Sequence, residues 1–122
     1  MEKDESERPR RQTPADAATR RAARELVAPL QDQVGLWQAE SVKFETMVER
    51  LRVTGRGDEQ LERSVRELLD AVTRQAAALD GAVQEAPEPV RTHSRVTDVR
   101  KVLRMLEQRL NDTLNGLPPS KR

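Results

Sequence analysis

Residues 23–51 read ARELVAPLQDQVGLWQAESVKFETMVERL. Apolar side chains recur in this stretch at alternating intervals of four and three residues, with one serine among them. That spacing lines them up along one narrow stripe of an α-helix, and the residues between are mostly charged or amide. A helix this one-sided must be covered by the rest of the chain or by a second chain, which predicts an all-α bundle or coiled coil. The stripe consists of Ala23, Val27, Leu30, Val34, Trp37, Ser41, Phe44, Val48 and Leu51.

The composition fits a small helical protein and disfavours several functional classes. The chain has 122 residues, of which 35% are charged and 2% aromatic, and its net charge is +1. A nearly neutral chain lacks the basic excess that is typical of nucleic-acid binding. No run approaches the roughly 18 apolar residues of a membrane span, and the charged start lacks the apolar core of a signal peptide. We therefore expect a single domain, located in the cytoplasm or nucleus.

Two further segments carry the helical period, with Leu61, Val65, Leu68, Val72 on the first and Val99, Leu103, Leu106, Leu110 on the second. Three amphipathic helices joined by short loops predict an antiparallel three-helix bundle that runs up, down, up. The domain should span residues 14–115, between a disordered charged tail at 1–13 and a second tail at 116–122, with its helices at about 14–54, 59–80 and 90–114.

Prolines and glycines suggest where these helices begin and end. Pro14 suits a first turn, whereas Pro29 removes one backbone N–H inside helix 1 and predicts that the helix is broken or kinked there; we favour the break. Gly81 is expected to end helix 2, with a short continuation through Val83 left open. Asn115-Gly116 predicts a left-handed stop for helix 3.

The residue types that carry catalysis or bind metals are sparse. His93 is the only histidine, and there is no cysteine to join it as a soft metal ligand. No hydroxyl has a histidine in a plausible triad, and Gly55-Arg56-Gly57 is too short for a phosphate-binding loop. We expect no enzymatic activity, no catalytic residue, no metal, no cofactor and no small-molecule substrate.

Charged residues on helices 2 and 3 are the remaining candidates for function. Asp70 and Asp80 stand ten positions apart on helix 2, at the edges of its apolar face. The alternative interpretation is a solvated surface with inter-helix salt bridges, each worth about 0–1 kcal/mol. Helix 3 carries a positive flank of Arg91, Arg95, Arg100, Lys101, Arg104 and Arg109.

Segments of all three helices together resemble a BAG domain. They are VGLWQAESVKFE at 34–45, ELLD at 67–70 through ALD at 78–80, and RVTDVRKV at 95–102 through LE at 106–107. The resemblance covers about residues 28–115 and implies an antiparallel three-helix bundle. It also implies binding to the ATPase domain of heat-shock protein 70 chaperones and promotion of nucleotide exchange.

The resemblance further implies which residues would contact the chaperone. The family uses two acids ten positions apart on its second helix, which Asp70 and Asp80 match, and an arginine fifteen positions further on, which is Arg95. Arg91 opens the same positive flank and is included with these three as a partner-binding residue. The family's Arg-Lys pair is Arg95-Val96 here, and Leu103 stands where a glutamine is common. Gln108 follows Arg100 at that interval, but we prefer Arg95 because the other register turns the apolar stripe outward.

Two other functions remain open on the sequence. The chain fits a structural adaptor, in which the stripe of helix 1 assembles with other helical subunits of a larger complex. Binding to nucleic acid or a membrane surface through the basic flank of helix 3 is disfavoured by the interspersed acids.

Overall fold

The computed structural model describes residues 14–119, which are all-α, with no strand in that range. The predicted tail at 1–13 and the last residues, 120–122, lie outside the described part. Within it, no helix is both long and apolar enough to cross a membrane. The helices in chain order are α1 (Pro14–Thr54), α2 (Glu59–Gln84), the short α3 (Glu88–Arg91) and α4 (Ser94–Gly116).

The stripe of α1 faces the interior, and all nine of its residues are buried or half-buried. Trp37 and Phe44 are half-buried and pack against the core. The three long helices each pack against the other two, so the fold is bundle-like. Burying a large apolar side chain stabilises the fold by roughly 1.5–3 kcal/mol, and these contacts hold the helices together. The largest apolar side chains at the centre are Val27, Val65, Val72, Val96, Leu103, Leu106 and Leu110.

The break that we favoured at Pro29 is not present. α1 continues from Pro14 to Thr54 with Pro29 inside it. The proline is exposed, while Val27 and Leu30 beside it are buried in the common core. Packing on both sides of the proline therefore outweighs the loss of one backbone hydrogen bond.

The connection from α1 to α2 is determined by one glycine and one aspartate. Gly55 has φ +73, and its N–H donates to the Leu51 carbonyl oxygen at 2.7 Å. Only a residue without a Cβ adopts this left-handed conformation at little cost, which ends α1. The Asp58 side chain then accepts a hydrogen bond from the N–H of Leu61 at 3.0 Å and caps the start of α2.

The second connection differs from its prediction. α2 does not end at Gly81 but continues to Gln84, because Val83 is buried there and its packing compensates for a glycine inside the helix. The predicted third helix is divided: Val90 packs into the core from α3, and α4 begins only at Ser94.

The end of α4 also differs from its prediction. Among the described residues only Gly55 has a positive φ, so the expected left-handed stop at Asn115-Gly116 is wrong. The helix continues through Gly116, and Leu117 follows in an extended conformation with its N–H donating to the Leu114 carbonyl oxygen at 3.2 Å. Leu117 packs against the core, which holds the residue after α4 against the bundle.

Candidate functional site

Asp80 links α2 to α4. One carboxylate oxygen accepts a hydrogen bond from Arg100 Nε at 2.9 Å, and the other accepts one from an Arg104 guanidinium nitrogen at 2.8 Å. The Asp80 side chain is 30% exposed, so this ion pair lies at the rim of the α2–α4 contact. Arg104 also approaches Glu107 at 4.0 Å. Two acids and two bases thus form one cluster across two helices.

Asp70 has a different environment from Asp80. Its side chain is 66% exposed, and within residues 14–119 its one ion pair is with Arg74, one turn further along the same helix. On an ideal helix the two aspartates lie about 80° apart around the axis and about 15 Å apart along it. Asp70 therefore points further outward and leaves its carboxylate accessible to another molecule. A shallow depression beside it is lined by Arg63, Arg66, Glu67, Leu69 and Thr73.

Arg95 lies at the start of α4, away from the cluster at Asp80. Its backbone N–H donates to His93 Nδ1 at 3.1 Å, which caps the helix, and its exposed guanidinium forms no ion pair within residues 14–119. Five residues separate it from Arg100, which is about 140° around an ideal helix. Arg95 and the Asp80-binding flank of α4 therefore face different directions.

Arg91 stabilises the segment that connects α2 to α4. One of its guanidinium nitrogens donates to the Ala86 carbonyl oxygen at 2.9 Å, and the residue is half-buried. This hydrogen bond ties α3 to the end of α2. Of the four predicted residues, only Asp80 takes part in the ion-pair cluster between α2 and α4.

Sequence reasoning did not select Arg100, Arg104 or Glu107 as a group. Their spacing of four and three residues places them on one flank of α4, next to the buried stripe. That spacing could have identified the three residues as a group from the sequence. The position of Gln108, eight residues beyond Arg100, also pointed to Arg100. We define the α2–α4 surface as Asp70 and Asp80 on α2 together with Arg100, Arg104 and Glu107 on α4.

A second ion pair joins α1 to α4 on another side. Arg109 donates from Nε and a terminal nitrogen to the two Glu45 oxygens at 3.0 and 2.8 Å. The hydrogen bond with Glu45, and then the negative charge of Glu45, raise the pKa of Arg109 above its ordinary value. The guanidinium is therefore charged at every physiological pH. This two-point contact links α1 to α4 at the edge of their apolar contact.

Within residues 14–119, no group of three or more His, Asp or Glu side chains is arranged so that it could hold a metal ion. His93 Nδ1 accepts the hydrogen bond that caps α4, so this nitrogen is used by the fold. Three depressions of the described surface are shallow and are lined mainly by charged side chains.

Comparison with known proteins gives no relative from which a function could be inferred. No protein-family model, no curated protein and no solved structure matches this sequence.

Proposed function

We propose that this chain is a protein-binding helical module of the co-chaperone type, which resembles a BAG domain. It would bind the ATPase domain of a heat-shock protein 70 and promote nucleotide exchange. The observation that carries this proposal is the α2–α4 surface. There, Asp80 of α2 is in contact with Arg100 and Arg104 of α4, and Asp70 is exposed on the same helix as Asp80.

The contact set that we propose is the α2–α4 surface, which contains Arg100, Arg104 and Glu107 in place of Arg95 and Arg91. Arg100 replaces Arg95, because Arg100 binds Asp80 and Arg95 points elsewhere. Arg95 would contribute only long-range attraction.

Nucleotide exchange requires no catalytic group on this chain, and we propose that it is not an enzyme. A module that contacts both lobes of a nucleotide-binding domain, and binds the open state more tightly, shifts the population towards that state. Nucleotide then leaves faster. Charged residues at the centre of such an interface typically cost about 2–5 kcal/mol when one partner is removed.

The proposed function requires a particular arrangement of the helices, which we propose as well. The three long helices would run up, down, up over residues 14–115, with a bend in α1 at Pro29. The two inter-helix ion pairs support this arrangement: Asp80, near the end of α2, meets the first half of α4, and Glu45, late in α1, meets Arg109, late in α4. A cytoplasmic or nuclear location fits this partner.

The test measures release of a fluorescent ADP from a purified heat-shock protein 70 ATPase domain, with and without this chain. We expect acceleration by the wild type and a weaker effect with Asp70→Ala. Asp70 suits this test because the ion pair that it forms with Arg74 is exposed and lies within one helix. Arg52→Ala, which breaks a similar exposed pair on α1, is the matched control. If the wild-type chain neither binds the ATPase domain nor accelerates release, the proposal is wrong.

A second candidate function, a helical adaptor in a larger complex, is favoured by exposed apolar side chains on α1. Val42 and Val53 are 49% and 83% exposed, on the side opposite the core. A shallow groove lined by Glu45, Thr46, Glu49, Arg50 and Val53 runs along this side. Retention of a helical partner protein by the wild type, and its loss with Val53→Asp, would favour the adaptor.

A further inference from the structure

Besides its buried stripe, α1 has an exposed one, which we call the outer stripe. It consists of Leu36, Glu40, Lys43 and Met47. The intervals of four, three and four residues place these side chains along one line of the helix. Leu36 is 65% exposed and Met47 is 41% exposed, although both are large apolar residues. Glu40 and Lys43 lie between them and form an exposed ion pair at 3.5 Å.

The outer stripe has the same pattern in both directions. Read from either end it is apolar, charged, charged, apolar, and the intervals are symmetric about the midpoint between Glu40 and Lys43. The two central charges are opposite in sign. If two copies of α1 lie antiparallel about that midpoint, Leu36 of each copy meets Met47 of the other. In the same arrangement, Glu40 of each copy meets Lys43 of the other.

We propose that the outer stripe is the contact of an antiparallel homodimer of this chain. A two-fold axis through the midpoint satisfies both charge pairs and both apolar pairs at once, as a self-complementary interface requires. A parallel, in-register pair would instead bring Glu40 against Glu40 and Lys43 against Lys43, and like charges disfavour it. Charge complementarity thus selects both the occupant, a second copy, and its direction.

The contact is short, so the dimer is a weak one. From Leu36 to Met47 the stripe spans three turns, about 16 Å along the helix. It lies on α1, whereas the α2–α4 surface lies on the other two long helices. The dimer therefore does not depend on the proposed function, and each copy would keep its α2–α4 surface free.

The first test exchanges the central charges and measures mass by sedimentation equilibrium. The wild type should rise from the 13.9 kDa monomer towards twice that mass as its concentration increases. Glu40→Lys alone and Lys43→Glu alone should each stay monomeric at the highest concentration, because each homodimer would oppose like charges. An equimolar mixture of the two variants should dimerise again, because every charge then meets its opposite.

The second test uses the absence of cysteine from the sequence. Leu36→Cys and Met47→Cys are made separately, mixed and oxidised. The antiparallel contact predicts that the mixed disulfide forms at least several-fold faster than either symmetric one, because like positions lie about 16 Å apart in this dimer. Circular dichroism of each variant before mixing identifies any that has lost its helices, and the mass measurement on the charge variants is then decisive.

A wild type that stays monomeric at millimolar concentration overturns the proposal. A dimer whose mass is unchanged in both single charge variants also overturns it, since the contact would then lie elsewhere. Preferential disulfides between like positions would reject the antiparallel direction.

Discussion

Ser41 is buried in the core without a hydrogen-bond partner, and its replacement by alanine should stabilise the fold. Its side chain is 0% exposed, and its Oγ bonds to no group in the described part of the chain. An unsatisfied buried hydroxyl costs about 1–3 kcal/mol. Alanine also has a helix propensity that is better by up to about 0.7 kcal/mol. The lost packing of one oxygen atom offsets part of this, so we expect a net stabilisation of about 1 kcal/mol.

The measurement is thermal unfolding followed by far-UV circular dichroism. For a domain of this size, about 1 kcal/mol corresponds to a rise in Tm of about 4–8 °C. Ser64→Ala on α2 is the control for propensity, because this serine is only half-buried, and it should raise Tm by less.

The other buried hydroxyl provides a matched comparison. Thr113 is 5% exposed, and its Oγ1 donates to the Arg109 carbonyl oxygen at 2.8 Å. Thr113→Val removes a satisfied hydroxyl of similar burial and should lower the stability by about 0.5–1.5 kcal/mol. If Ser41→Ala is as destabilising as Thr113→Val, the reasoning is refuted, because the Ser41 hydroxyl must then form a favourable bond.

Three further substitutions test the ends of the helices and the α1–α4 ion pair. Asp58→Ala should lower the free energy of unfolding in urea by about 1 kcal/mol, and Asp58→Asn by much less, since asparagine also caps; equal losses would contradict a capping role. Gly55→Ala should lower the free energy of unfolding by about 1 kcal/mol, because Gly55 has a positive φ. Gly35 lies inside α1 with open space where a Cβ would be added, so Gly35→Ala should raise the free energy of unfolding by a similar amount. If both substitutions change the stability in the same direction, this reasoning is wrong. Glu45→Gln should cost about 1 kcal/mol at low salt, with the difference reduced at high salt, and a loss that does not depend on salt would exclude the Arg109 ion pair as its cause.

The helical class could be predicted from the sequence because one periodic stripe dominates it. The spacing from Ala23 to Leu51 requires a single helical face to be covered, and the structure buries that face. The division before α4 could not be predicted in the same way. No glycine or proline stands at residues 92–93, and histidine is not a preferred N-cap residue, although His93 acts as one here. The continuation of α1 through Pro29 could not be predicted either, because it depends on the tertiary packing of Val27 and Leu30.

The candidate site was harder to predict than the fold. Which arginine meets Asp80 depends on how far the chain travels before α4 starts, and α3 adds one turn to that path. The interval of fifteen residues that the resemblance implies selected Arg95 as a partner contact, and that stays a prediction. The ion pair with Asp80 inside the chain, which could not be assigned to a particular arginine from the sequence, is made by Arg100, twenty residues beyond the aspartate. Helical periodicity identifies the flank of a helix but gives no information on the offset between two helices.

The ion pairs of the α2–α4 surface limit how it can attract a partner. The charges of Asp80, Arg100, Arg104 and Glu107 cancel, and the pair at Asp70 cancels as well. A surface that is neutralised by its own pairs exerts little long-range attraction, and its contribution must come from exchanging these pairs for partner groups at close contact. Such exchange gives more specificity than affinity, because a partner with the wrong pattern leaves both sets of charges unpaired. A binding partner of this surface is therefore expected to present acids and bases in alternation, and a uniformly charged polymer is a poor fit.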